Sequence, residues 1–339
     1  MIRRLILGTC LAAALFLGPS NVVAAEGEAE EEQDFLGIIT DDLRSTAHQI
    51  GMDLKALLKR NHIHLAVFNS SGSVENIYAV YQRPGNHLGL VQSDVLAFVA
   101  KVKTDPRLKL IADKIKWVFP LYNQEVHLLA KAEIGSFSDL GGKRVAIGHA
   151  ESGSNLTSRL IFEISGIFPR QTLVLDNAQA LAALKNGSID AMVIVDGFPI
   201  DRLTLDVSPA DGLHLVPINQ ERILAFYPAS RIPGGAYPWQ TTDVETVSVQ
   251  AVLVAYDFRN NHCHTIGNVA RLMAENLNWL RHNGHPKWRS VDLNQPVKGW
   301  EQYKCVKNFN PNAITAEPET PRVRRPNPVA DAIEAVFRN

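Results

Sequence analysis

Cysteine, aromatic side chains and net charge are all scarce in this 339-residue chain. With 34 Lys+Arg against 35 Asp+Glu there is no basic excess to track a phosphate backbone, so no nucleic-acid partner is expected. Long apolar runs are scarce too. The longest, residues 5–18, has 14 residues, short of the ~20 that a membrane-spanning helix needs. There is no Gly-x-Ser-x-Gly elbow, no His-Glu-x-x-His, no phosphate loop ending in Lys-Ser or Lys-Thr, and no nucleophile beside a base. The chain is therefore read as a non-enzyme that needs no cofactor.

What is present begins with an export signature. Met1–Ala25 has Arg3 and Arg4, the apolar run, and then Val23-Ala24-Ala25 as a small-residue cleavage site. Cys10 lies too early in that run to be a lipid-attachment site. Cleavage would start the mature chain at Glu26. It would leave 32 Lys+Arg (34 minus Arg3 and Arg4) against 35 acids, a formal charge of −3. Residues 26–35 read as a solvated acidic leader. Outside the signal only Cys263 and Cys305 remain, and an even pair in an oxidising compartment is read as a disulfide. The rival is a metal site, since His262, His264, His282 and His285 crowd the same region. Their spacing matches no finger-type pattern, and no metal is expected.

About 300 mature residues suffice for two lobes with separate cores. Strand, loop and helix alternate along the middle of the chain, which predicts α/β layers with mostly parallel sheets. A helix is expected over Thr46–Lys59, with Ile50, Leu54, Leu57 and Leu58 on one face. Strands are expected around Leu65 and Val67, over His87–Val91, Val126–Lys131 and Ala191–Val195, and as a returning strand over Val247–Val254. Further helices are expected after Ser73, over Ala178–Lys185 and over Thr265–Arg281. From Pro311 onward the composition reads as a linker, and Val329–Phe337 as a short tail helix.

The stretch 140–167, LGGKRVAIGHAESGSNLTSRLIFEISGI, reads as a strand, a Gly/Ser loop and the opening of a helix. The first N–H groups of such a helix lack partners and sit at the positive end of its dipole, so Ser152, Gly153 and Ser154 are candidates to hold a carboxylate or phosphate. Ordinary helix capping is the alternative.

From about residue 37 to 282 the sequence resembles the TAXI subgroup of solute-binding proteins of tripartite ATP-independent periplasmic (TRAP) transporters. The pieces that carry the resemblance are NSSGSVENI at 69–77, LGLVQSDV at 88–95, LYNQEVHLLAK at 121–131, DLGGKRVAIGHAESGSNLTSR at 139–159, LKNGSIDAMVIVDGFP at 184–199 and ETVSVQAVLVA at 245–255, in that order. The resemblance implies a two-lobed type II periplasmic binding-protein fold, each lobe a mostly parallel sheet flanked by helices. Lobe 1 would comprise residues 36–125 plus 256–310, and lobe 2 residues 126–255. It also implies a periplasmic receptor that closes on a small organic acid or amino acid and then docks on an integral-membrane TRAP permease. A ligand sensor that no longer transports is the alternative.

One segment departs from the family. Where the family runs Thr-Gly-Gly-Thr-Gly-Gly, this chain has Thr40-Asp41-Asp42-Leu43-Arg44-Ser45-Thr46. The lost glycines limit backbone approach to a ligand, and the two acids would repel an anion at short range. Ligand preference in the first lobe is therefore expected to have changed.

Arg44, with Ser45 beside it, is a candidate carboxylate clamp; its alternative is to neutralise Asp41 or Asp42. Ser71, Gly72 and Ser73 are ligand-contact candidates that can also cap a helix. Gln92 and Ser93 follow a strand end, whereas Asp94 reads as an N-cap. Tyr122 and Tyr237 are candidate aromatic walls, with simple packing as the alternative. Asn155 completes the Ser152–Ser154 loop. Asp196, before Gly197, could accept from a ligand ammonium group or could serve a turn.

Overall fold

The structure is a computed structural model that describes residues 35–101, 106–259 and 261–307. The signal and leader readings, apart from Phe35, and those for the linker and tail helix lie outside the described residues. Phe35 itself opens the first strand, β1 (Phe35–Ile39).

The chain continues through α1 (Thr46–Lys59), β2 (His64–Phe68), α2 (Ser73–Gln82), β3 (Leu88–Gln92), α3 (Ser93–Lys101) and α4 (Pro106–Lys114) to a long strand, β4 (Ile115–Lys131). A second set follows: β5 (Arg144–Ala146), α5 (Gly153–Ser165), β6 (Gln171–Leu173), α6 (Asn177–Lys185), β7 (Ala191–Asp196) and α7 (Asp201–Asp206). Then come β8 (Leu213–Leu215), α8 (Glu221–Leu224), β9 (Ala229–Ile232) and the second long strand, β10 (Val244–Tyr256). The chain closes with α9 (Asn261–Glu275), α10 (Leu277–Asn283) and α11 (Lys304–Lys307).

All ten strands join one mixed sheet, with the order β2-β1-β3-β10-β4-β7-β5-β6 and with β8 and β9 on β4 and β10. Two parallel trios stand at its ends, β2-β1-β3 and β7-β5-β6. β4 and β10 run antiparallel between them and bind the halves together. Ala251–Ala255 of β10 pairs with β3 in the first half, while Val244–Val247 pairs with β9.

Strand alternation assigns each face its own core. In β10, Ala251, Leu253 and Ala255 face α1, α9 and Trp288, whereas Val252 and Val254 face Ile77, Val80 and Val95. In β7, Val193 and Val195 pack with Leu160 and Ile161 of α5, and Met192 and Ile194 with Leu181 and Leu184 of α6.

α1 forms where its apolar spacing predicts. Ile50, Leu54, Leu57 and Leu58 are buried, and Ser45 Oγ caps the helix by accepting from His48 N–H. Two expectations change. The helix expected over Thr265–Arg281 is broken at Asn276, whose side-chain amide donates to the Leu272 carbonyl at 2.9 Å and which heads α10. The strand expected from Val126 starts eleven residues earlier, at Ile115. Pro120 lies within it, which a central strand does not usually accept. There β4 pairs with β10 alone, because β7 joins only from Glu125 onward, and the register shifts beside Pro120. Cys263 of α9 and Cys305 of α11 form the expected disulfide, Cα to Cα 5.7 Å.

Candidate functional site

The helices α1, α2 and α5 open on loops that meet where the two halves of the sheet adjoin. Each opening is built from short polar residues because the first N–H groups of a helix need acceptors. Ser152 Oγ accepts from Asn155 N–H at 3.1 Å and caps α5. Gly72 enters α2 at φ +125°, a conformation that favours glycine, and a Cβ there would lie 3.0 Å from Ser152 Cα. The N–H groups of Val74 and Glu75 in α2 both donate to the Glu151 carbonyl at 3.1 Å, so the second half caps a helix of the first.

At α1 a carboxyl group adds to the Ser45 cap. Asp196, at the end of β7, accepts from Thr46 N–H at 2.9 Å through Oδ2 and from Gly197 N–H at 2.8 Å through Oδ1. Thr46 Oγ1 also donates to the Gly197 carbonyl. The carboxyl group on the positive end of α1 therefore belongs to the protein itself.

The candidate residues divide by position. Gln92 is buried, donates through Nε2 to the Val195 carbonyl at 3.3 Å, and packs on Gly153 so closely that any Cβ there would collide with its amide. Ser154 Oγ accepts from Val195 N–H at 3.0 Å, and Ser73 Oγ accepts from Gln92 N–H at 3.1 Å. Tyr122 is buried with its ring against Gly197. Ser45, Ser73, Gln92, Tyr122, Gly153, Ser154, Asp196 and Gly197 thus gather around one locus.

Others point elsewhere. Ser93 Oγ accepts from Gln250 N–H of β10, and Asn155 binds the Gly148 carbonyl and Arg159. Ser71 uses its N–H on Glu75. Arg44 reaches neither Asp41 nor Asp42 with its guanidinium. It pairs at 2.6 Å with Asp206 of α7, half-exposed, while Asp42 takes Arg202 of the same helix at 3.1 Å. Tyr237 is not a wall of this locus: it is buried in the second half, with its hydroxyl 2.8 Å from His127 Nε2. Asp94 accepts from Thr157 Oγ1 of α5 at 2.6 Å, in addition to its own helix.

Sequence reasoning missed four participants. Thr46 supplies the amide and hydroxyl that meet Asp196 and Gly197. Gln124 places Nε2 3.5 Å from Asp196 Oδ1. Glu125 and Lys287 form a buried ion pair at 2.7 and 2.8 Å, with the ammonium 3.9 Å from the Phe198 ring centre. Only the period-2 pattern of β4 could have pointed to Gln124, and no local pattern points to Lys287.

The electrostatics are those of acids short of cations. Burial pushes the Asp196 carboxyl up to about 8, the nearby Asp41 carboxylate adds to this, and the two N–H bonds oppose it. Asp41 is raised to about 7, first by desolvation and then by Asp42 and Glu75, against the bond from Asp42 N–H. Burial raises Glu125 and lowers Lys287, and their contact opposes both shifts. Among the described residues no group of three or more His, Cys, Asp or Glu is placed to hold a metal ion.

A family profile described as the NMT1-like family matches residues 45–300. The chain belongs to the NMT1-like family. Among solved structures, a protein from Bordetella bronchiseptica RB50 matches this NMT1-like chain with a TM-score of 0.50 at 11% identity, covering 89% of this chain and 88% of that one. An ancestral arginine-binding protein bound to arginine matches with a TM-score of 0.47 at 16% identity, over 75% of this chain and 95% of its own. The arginine-, lysine-, histidine-binding protein ArtJ from Geobacillus stearothermophilus gives 0.47 at 12% identity, over 77% and 96%. At 11% identity the likeness to the Bordetella bronchiseptica protein is one of fold. This NMT1-like protein has the type II periplasmic binding-protein arrangement: two parallel trios joined by paired long strands.

Proposed function

We propose that this NMT1-like protein is a periplasmic solute-binding receptor that captures a small organic acid or amino acid between two lobes and delivers it to a TRAP-type permease. The observation that carries this reading is the carboxylate of Asp196 seated on Thr46 N–H, where the loops of α1, α2 and α5 meet. The helix openings gathered there, with the Val74 and Glu75 N–H groups of α2 beside the Asp196 locus, are suited to a small polar solute whose carboxylate takes the α2 N–H groups after the lobes part. Lobe 1 is assigned to residues 36–125 plus 251–307 and lobe 2 to 126–250, which moves the second boundary back from 255. The second crossing is taken within β10, because Ala251–Ala255 pairs with β3. The candidate contacts are the residues around Asp196, with Arg44 at the rim. The disulfide suits an oxidising compartment, and the ordered family-like segments favour TRAP delivery.

A non-transporting sensor is the second reading. The altered loop favours it, since Arg44–Asp206 and Arg202–Asp42 tie the halves directly to each other.

The test is a thermal-shift screen of the purified mature protein against amino acids and mono- and dicarboxylates. A binder at a hundredfold its dissociation constant should add about 2.7 kcal/mol. No shift with any member of the panel would count against the receptor reading, and failure of a binder to be taken up by cells carrying the permease would favour the sensor.

A further inference from the structure

We propose that the locus between Thr46 and Asp196 receives the cationic end of its solute, an ammonium or guanidinium group, so that the protein selects amines and basic amino acids over dicarboxylates. This rests on the receptor reading above and specifies its substrate class.

The nearby cations are already engaged. Arg202 is bound by Asp42, Arg44 by Asp206, and Lys287 by Glu125. Among the described residues, Asp41 and Asp196 receive N–H and amide donors but no ion pair. Two carboxylates within electrostatic reach of each other are left without an ion-pair partner of their own, the Lys287 charge reaching Asp196 only from beyond contact, a costly arrangement unless a proton or a cation fills it.

A second observation points to a ligand. The Tyr122 hydroxyl, in a side chain that is 1% exposed, has the Gln124 side chain as its polar neighbour but makes no hydrogen bond of ordinary geometry to it. Oε1 of Gln124, a residue 5% exposed, makes none either. Both residues lie two apart on β4, on one face of the strand. Tyr122 packs on Gly197, and Gln124 already reaches Asp196 with its amide nitrogen. The unmet capacity is thus mainly acceptor capacity: two carboxylates, one amide oxygen and one phenol oxygen. A compact cation with several N–H groups satisfies such a set, whereas an added carboxylate offers no donor and adds like charge. A carboxylate on the same solute would turn to the α2 N–H groups that Glu151 now occupies. The elevated proton affinity of Asp41 and Asp196 agrees with this, because a site that favours a bound proton also favours a bound cation.

The experiment is calorimetric titration of the purified mature chain at pH 8 with three probes: arginine, agmatine and 2-oxoglutarate. Arginine and agmatine should bind, with 2-oxoglutarate about tenfold weaker or more. Asp41→Asn should weaken agmatine by about tenfold or more, the size of one lost charged contact. Asp41→Glu should retain most of the binding, which separates lost charge from lost folding. Binding of 2-oxoglutarate with agmatine silent overturns the cation assignment and leaves the receptor reading standing. Undiminished agmatine binding to both Asp41→Asn and Asp196→Asn also overturns it. Silence of all three probes overturns the cation assignment, and silence across the wider acid and amino-acid panel would remove the receptor reading as well.

Discussion

The carboxylate of Asp196 caps α1 from the other half of the sheet, taking the Thr46 N–H at 2.9 Å. A cap contributed by one half of the sheet to a helix of the other makes their junction depend on the protonation state of its acid. The folded carboxyl groups of Asp196 and Asp41 are raised to about 8 and about 7, from an ordinary value of 3.8. Between these limits the two groups bind more protons in the native state than in the unfolded chain, so their contribution to stability falls as pH rises. His48, His87, His127 and His285, lowered by burial, act in the opposite sense, so the test is the margin of the native melting temperature over that of Asp196→Asn, which should be larger at pH 5.5 than at pH 8.5 by about 3 °C or more. Melts of both proteins at a series of pH values will show it.

The buried Glu125–Lys287 pair predicts a strongly non-additive response. Lys287→Met leaves Glu125 without its cation among apolar neighbours and should cost about 3–5 kcal/mol. Adding Glu125→Gln should recover much of that loss. Denaturant unfolding of the two single variants and the double variant measures it, and additive losses would mean the pair is not coupled.

Gly72→Ala acts on backbone and contact together. The φ of +125° there is nearly closed to other residues and costs about 1–3 kcal/mol when imposed on them. The added Cβ would also crowd Ser152 Cα across the interface. Solute affinity should fall along with stability. A variant that lost stability yet bound normally would show that α2 and α5 need not approach so closely.

The Cys263–Cys305 bond closes a loop of 42 residues between α9 and α11. Reduction should lower stability by about 4 kcal/mol in the chain-entropy treatment. Both helices lie far in sequence from the residues around Asp196, and the reduced protein should keep its solute preference. Thermal shifts with and without reductant test both parts.

Arg44→Ala should change the melting temperature little, because the Arg44–Asp206 pair is half-exposed and such pairs contribute about 0–1 kcal/mol. Its effect should appear in closure, as a weaker solute affinity at low salt that vanishes at high salt.

Local signals reveal much of this fold. Ser45 followed by Ile50, Leu54, Leu57 and Leu58 fixes α1 at both ends, because a cap and a 3.6-residue period are properties of neighbouring residues. Asn186-Gly187 ends α6, and the Ser152 loop opens α5, for the same reason. Pro120 concealed the first part of β4, since only the pairing pattern shows that its missing N–H faces no partner strand. Asn276 looked like one polar position in a helix and turned out to divide two. At the site, loop chemistry picked out Asp196, Gln92 and Ser154. The partners of the charges were not legible: Lys287 and Glu125 are 162 positions apart, as are Arg44 and Asp206. Arg44 was read against the acids beside it because no local pattern encodes a contact made across a cleft.

The most direct measurement is a crystal structure of the mature protein grown with a solute that raises its melting temperature. Solute density is expected between Thr46, Tyr122 and Asp196, with Asp196 withdrawn from the Thr46 N–H and the α5 loop against the solute. Density in the groove lined by Phe226, Gln250 and Lys298 instead, with Asp196 still on Thr46, would contradict a receptor that grips its solute between α1 and α5.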